Sequence, residues 1–173
     1  MSVSALSRWF ATLLDALILL AAWLVLIITI IIGADVLLRN VGMHGLAWSG
    51  EVSEYILYLV TLASAPGLLR KGQHIRVDIL LRALPARVAY VMEWMADVIG
   101  LACALYFVWY GCRVAAASYG AGAVSIKTLV LPEWWMLAVF PLAFALVAIE
   151  FVFRMHRLAG SEVGPRDEAV SAA

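Results

Sequence analysis

Apolar residues run in long stretches along this chain, and the charges collect in the breaks between them. Ala16 to Ala34 holds 19 uncharged residues. At 1.5 Å of rise per residue this nearly crosses the roughly 30 Å of hydrocarbon in a bilayer. The run exceeds the roughly 7–15-residue apolar core of a signal peptide, and no small-x-small cleavage site follows. It reads as a retained first span. Tyr55 to Leu69 is uncharged for 15 residues and spans only with the turn holding Glu51 and Glu54. Val98 to Cys112 is also 15 residues, and it spans if Glu93 and Asp97 are included. A fourth run covers Trp134 to Phe153, with Glu150 near its end. The pattern predicts an all-α integral membrane protein with four transmembrane helices, over about 13–33, 51–69, 86–112 and 134–153. Residues 1–158 form the membrane domain, and 159–173, small and polar, a disordered cytoplasmic tail.

Between the second and third spans, Val77, Leu80, Leu81 and Leu84 recur at helical spacing, with Asp78 and Arg82 on the other side. This predicts a short amphipathic helix lying at the interface, ended by Leu84-Pro85. Pro85 suits the first turn of the third span. Ser118 to Val124 reads as a small-residue exterior loop. Its Gly-x-Gly is no phosphate loop, because no strand precedes it and no helix with Lys follows. No internal repeat and no pair of broken helices marks a substrate site.

Composition supports the membrane reading. Hydrophobic residues are 65% of the 173, and mean hydropathy is +0.99. Soluble domains are roughly 45–50% apolar. Twelve basic and twelve acidic residues cancel, and no basic run suits nucleic acid. Placement matters more. Arg8, Arg70, Lys71, Arg76, Arg82, Arg87, Arg154, Arg157 and Arg166 fall on one side of the four spans; Arg39, Arg113 and Lys127 fall on the other. The positive-inside rule then predicts both termini in the cytoplasm. Trp48, Trp109, Trp134 and Trp135 fall at exterior span ends, and Trp9 and Trp94 near cytoplasmic ones, where aromatic belts form. Trp23 lies mid-span, where packing against a neighbour is expected.

Little here suits catalysis. His44, His74 and His156 lie in loops or at a span edge, so the facing histidines of a haem subunit are missing. No Cys/His cluster has metal spacing. Cys103 and Cys112 are nine apart, about 13–14 Å on a helix and on opposite faces, beyond the reach of a disulfide. No catalytic residue, cofactor or metal is expected. The acids are the candidates. Glu51, Glu54, Tyr55 and Tyr58 share one side of the second span. An ion or proton site is the functional reading. For Glu51 the expectation is a helix N-terminus, where a carboxylate favours the macrodipole and caps N–H groups. For Glu54 it is a polar partner. Glu93 and Asp97, at i and i+4, repel and are expected to find basic partners in the second loop or another subunit. Glu150 stands one turn from Arg154, which suggests a local pair.

These residues also carry a resemblance. Trp48-x-x-Glu51-x-x-x-Tyr55, followed by Arg70-Lys71-Gly72-Gln73-His74-Ile75-Arg76-Val77-Asp78, resembles the DctQ-like small membrane subunit of tripartite ATP-independent periplasmic (TRAP) transporters. Asp35-Val36-Leu37-Leu38-Arg39 is similar to that family's first-span end, and Leu131-Pro132-x-Trp134 with Pro141 to its fourth-span entry. The likeness covers about Trp23 to Arg154. It implies a four-span accessory subunit of the bacterial inner membrane. In such systems a periplasmic protein captures a solute, usually a carboxylate, and a large subunit of about a dozen spans moves it inward on a sodium gradient. The small subunit resembles a fixed scaffold bracing the large one.

The reading is therefore a scaffold whose partners are the large subunit, the periplasmic solute-binding protein and membrane lipids. Its interface or structural polar residues are Arg39, Trp48, Glu51, Glu54, Tyr58, Arg70, His74, Arg76, Asp78, Glu93 and Asp97. Small residues such as Ala63, Ser64, Gly100 and Ala104 are expected to let the large subunit approach closely. The alternative is a self-sufficient proton-coupled carrier using Glu54 or Asp97.

Overall fold

The computed structural model describes residues 3–42, 44–71 and 85–160. The predicted interfacial helix over 77–84, with His74, Arg76 and Asp78, and the tail beyond 160 lie outside the described residues. Among the described residues, four long helices make up the fold: α1 (Val3–Asn40), α2 (Ser49–Arg70), α3 (Ala86–Ala121) and α4 (Glu133–Ala159). All four are long and apolar enough to cross a membrane. Each extends beyond the apolar run that announced it. An apolar run marks what lipid can accommodate, whereas backbone hydrogen bonding continues the helix through flanking polar turns.

The helices do not close into a symmetric bundle. α1 packs along α2, α2 against α4, and α4 against α3. Small residues set the close approaches. Gly67 of α2 leaves no room for a Cβ beside Ile18 of α1, and Gly100 of α3 abuts the Phe151 ring of α4. Ala89 and Ala104 of α3 are buried on the same face. Gly100 and Ala104 thus pack within the chain, and are not offered to a larger subunit as expected. Phe107 of α3 meets Phe144 of α4 at 4.9 Å between ring centroids, continuing that seam.

The stretch read as a loop after the third span is ordered. α3 ends at Ala121 with Gly122 at φ +59°, the left-handed position that favours glycine. The N–H of Ala123 donates to Ser118 O and that of Gly122 to Tyr119 O, which satisfies carbonyls left open by the helix end. Strands β1 (Val124–Ile126) and β2 (Val130–Pro132) then form an antiparallel hairpin, with Ser125 opposite Leu131. Pro132 leads directly into α4. The sequence reading missed this hairpin because three-residue strands are too short to show alternation.

The chain thus has two distinct ends. At the terminal end the start of α1, the end of α2 and the end of α4 converge, with Phe10 and Phe153 in contact at 5.4 Å. At the hairpin end lie the α1–α2 connection and the β-hairpin. Trp23, expected to pack against a neighbour, is 58% exposed. Cys103 and Cys112 are unbridged and exposed.

Candidate functional site

Polar side chains gather in two groups, one at each end. At the terminal end, Glu150 of α4 is completely buried. Its carboxylate accepts from Arg70 Nη1 of α2 at 3.2 Å and from Arg157 Nη2 at 2.7 Å. Arg70 Nη2 also donates to the Ser7 carbonyl at 3.1 Å and to its hydroxyl at 3.2 Å. One guanidinium thereby joins α1, α2 and α4. Arg157 is two turns after Glu150, so helical periodicity brings it back to the same side.

Beside this group, Asp97 of α3 is 1% exposed and pairs with Arg154 of α4 at 2.9 Å. Glu93, one turn before Asp97, is also buried. One expectation changes here. Glu150 does not pair with Arg154; the neighbouring helix presents Asp97 to Arg154, and α2 presents Arg70 to Glu150. Asp97 finds a cation, Arg154, on α4 of its own chain. A charge removed from water is costly unless it is paired, and contacts between helices outrank sequence proximity in satisfying that demand.

The hairpin end uses carboxylates differently. Asp35, near the end of α1, takes the Leu46 N–H at 2.5 Å and pairs with Arg39 at 2.9 Å. This ties down the connection that leads to Trp48, the residue preceding α2, which brings no capping side chain. Glu51 stands in the first turn of α2, yet its carboxylate does not cap that helix. It accepts from the Thr128 N–H at 2.6 Å and the Leu129 N–H at 2.8 Å, at the tip of the hairpin. Glu54, one turn on, pairs with Lys127 at 3.0 Å with both side chains largely exposed. Lys127 also lies 5.8 Å from the Tyr55 ring centroid. The Glu54 carboxylate, by hydrogen bond and by charge, raises the Lys127 ammonium above its ordinary value. Tyr58 OH donates to the Met136 carbonyl at 3.1 Å and so joins α2 to α4. Glu51, Glu54, Tyr55 and Tyr58 thus work as one fastening strip on α2, holding the hairpin and the start of α4.

Among the described residues, no group of three or more His, Cys, Asp or Glu is placed to hold a metal ion. An apolar crevice between α1 and α4 over α2 is lined by residues such as Leu20, Leu62 and Leu142 and holds nothing titratable. The polar groups fasten helices and loops to one another. Sequence reasoning gave no part in this to Asp35, Lys127 or Arg157, and it assigned Arg154 to Glu150 in place of Asp97. For Lys127 the signal was present, as a lone cation between two short β-prone runs. For Arg154 and Arg157 it was hidden, because the tail of an apolar span ordinarily carries basic residues.

The family model for the DctQ component of tripartite ATP-independent periplasmic transporters matches residues 28–160. No curated protein matches the chain.

Proposed function

This chain belongs to the DctQ component of tripartite ATP-independent periplasmic transporters, and on that premise we propose that it is a fixed scaffold bracing the large transport subunit. The coarser facts are plain: it is a multi-pass membrane protein, and its family is a transporter component of the bacterial inner membrane. In the proposed reading both termini are cytoplasmic, so the terminal end faces the cytoplasm and the hairpin end the periplasm. The solutes are organic, carboxylates foremost. They are captured by the periplasmic protein and moved by the large subunit on a sodium gradient.

The observation that supports a scaffold is the use made of the polar groups. A carrier that couples a proton or ion to transport needs an acid that can release its partner and meet water or solute. Asp97 is 1% exposed and held by Arg154. Glu54, the other candidate, is an exposed surface acid paired with Lys127. A scaffold needs the reverse, polar contacts that hold helices in one arrangement while a partner moves against them.

Reconstitution tests the reading. In liposomes this chain alone moves no solute. With the large subunit, the periplasmic protein and an inward sodium gradient, uptake appears. Glu54→Gln lowers that uptake only modestly. Solute movement by the chain alone, or abolished uptake in an assembled Glu54→Gln complex, would support the proton-coupled carrier instead.

A further inference from the structure

Helix α3 packs on α4 with its small residues and turns large ones outward. Gly100, Ala104 and Gly111 lie in the seam, while Tyr106, Trp109, Tyr110 and Arg113 are exposed. Their spacing puts these four on one side of the helix. Tyr106 and Tyr110 stack at 6.1 Å with ring planes 7° apart. The Arg113 guanidinium lies over Trp109, 5.1 Å from the ring centroid. Among the described residues, no carboxylate or hydrogen bond reaches it.

The depth of that charge sets it apart. Gly111 abuts Pro141 and Asp97 pairs with Arg154, so α3 and α4 run side by side in opposite directions. Between Glu133 and Glu150, α4 is uncharged for 16 residues, about 24 Å at helical rise, and Pro141 stands at the middle. Two residues past Gly111, Arg113 leaves the backbone about 3 Å beyond that middle and about 9 Å short of the level of Glu133. Helical side chains lean toward the start of their helix. That of Arg113 does so, over the ring one turn back, and therefore leans away from the nearer membrane surface. The apolar run of α3 ends at Cys112, yet packing on α4 draws Arg113 into the band. The other helices keep the band clear: α1 has no charge between Asp15 and Asp35, and α2 none between Glu54 and Arg70. Among the described residues, Arg113 alone carries a charge between these levels.

Lipid tails offer a guanidinium at that depth neither an anion nor an acceptor. A second copy of this chain at the same level sets Arg113 against Arg113, and its described acids stand at the two ends, outside the band. Within the chain, a charge withdrawn from water is matched by its opposite, as Asp97 is by Arg154. We propose that the α3 face of Tyr106, Trp109, Tyr110 and Arg113 receives a transmembrane helix of the large subunit, and that a carboxylate on that helix pairs with Arg113 inside the membrane. The assignment rests on the scaffold reading. The aromatic rings beside Arg113 then keep lipid and water from the pair.

The test uses the assembled complex in lipid nanodiscs. A photoreactive side chain replacing Tyr110, with Arg113 intact, crosslinks to the large subunit. Arg113→Leu weakens the complex roughly tenfold. The isolated variant unfolds no lower than the parent chain, because an apolar side chain replaces a charge that lipid does not satisfy. Arg113→Glu binds more weakly still, and changing one membrane-embedded acid of the large subunit to Arg restores its affinity. Unchanged affinity for Arg113→Leu overturns the pairing, and is the result if the guanidinium instead reaches a lipid headgroup. Absence of rescue by any such acid overturns the carboxylate. In a complex that co-purifies, lipid adducts alone from position 110, or crosslinks to a second copy of this chain, overturn the assignment and leave the scaffold reading standing. If the two subunits do not co-purify, the scaffold reading itself fails.

Discussion

Glu150 and Glu51 each accept two hydrogen bonds, one at either end of the helix assembly, and they take opposite kinds of donor. Glu150 is sealed from solvent and holds two guanidinium groups. Glu51 holds two neutral backbone amides at the tip of a hairpin. The depth of each site explains the choice. A carboxylate with no access to water needs a neutralising charge, because amides alone leave most of its desolvation cost in place. A carboxylate near water keeps part of its hydration, so it can order a loop that has unpaired N–H groups to offer. Asp97 follows the first pattern, through Arg154, and the buried Asp35 combines the two, through Arg39 and the Leu46 amide. The terminal end therefore joins helix to helix, and the hairpin end joins connection to helix.

The largest effect should come from breaking the deepest pair. Arg154→Leu takes its cation from α4 away from the buried Asp97 carboxylate, a loss of about 3–5 kcal/mol. It should appear as a large fall in unfolding temperature of the protein in detergent. Replacing both residues, Asp97→Leu with Arg154→Leu, should restore most of that stability, because an apolar pair of similar volume carries no desolvation cost. If the double variant is as damaged as the single, the terminal end depends on more than charge balance.

Glu150→Gln comes next. It removes the shared acceptor of Arg70 and Arg157, but both guanidinium groups retain some access to solvent. The expected loss is smaller, about 2 kcal/mol. Scanning unfolding beside Arg154→Leu ranks the two, and a Glu150→Gln loss exceeding that of Arg154→Leu would reverse the proposed order of depth.

At the hairpin end the effects should be local. Glu51→Gln leaves only one side-chain oxygen for the Thr128 and Leu129 amides, so these two should exchange with deuterium several-fold faster. Global unfolding should barely move. A global destabilisation would show that the hairpin is part of the core and not an attachment to it.

The smallest effect is the dependence on pH. Lys127 is raised above its ordinary value by Glu54. Its contribution is therefore complete below the ordinary lysine range and is lost as pH climbs through the raised value. A spin label on the exposed Val130 should gain mobility over that alkaline window, and Lys127→Met should remove the step. A step that survives Lys127→Met belongs to another group.

The four spans were legible in the sequence because lipid imposes a local demand. About twenty apolar residues must stand together wherever a helix crosses, and no distant contact relaxes that requirement. The family strings around Trp48 to Tyr55 and Arg70 to Asp78 were legible for a similar reason, since a motif is read in order along the chain. The charge partners were not. From spacing alone Glu150 belonged with Arg154 and Glu51 with its own helix. Folding instead set α2 and α3 against α4, and gave Glu150 to Arg70 and Arg157, Arg154 to Asp97, and Glu51 to the hairpin. Local sequence determines which segments dissolve in the membrane. Which buried charge meets which cation depends on the side each helix turns toward its neighbour, and apolar residues that lipid and protein accept equally carry little record of that choice.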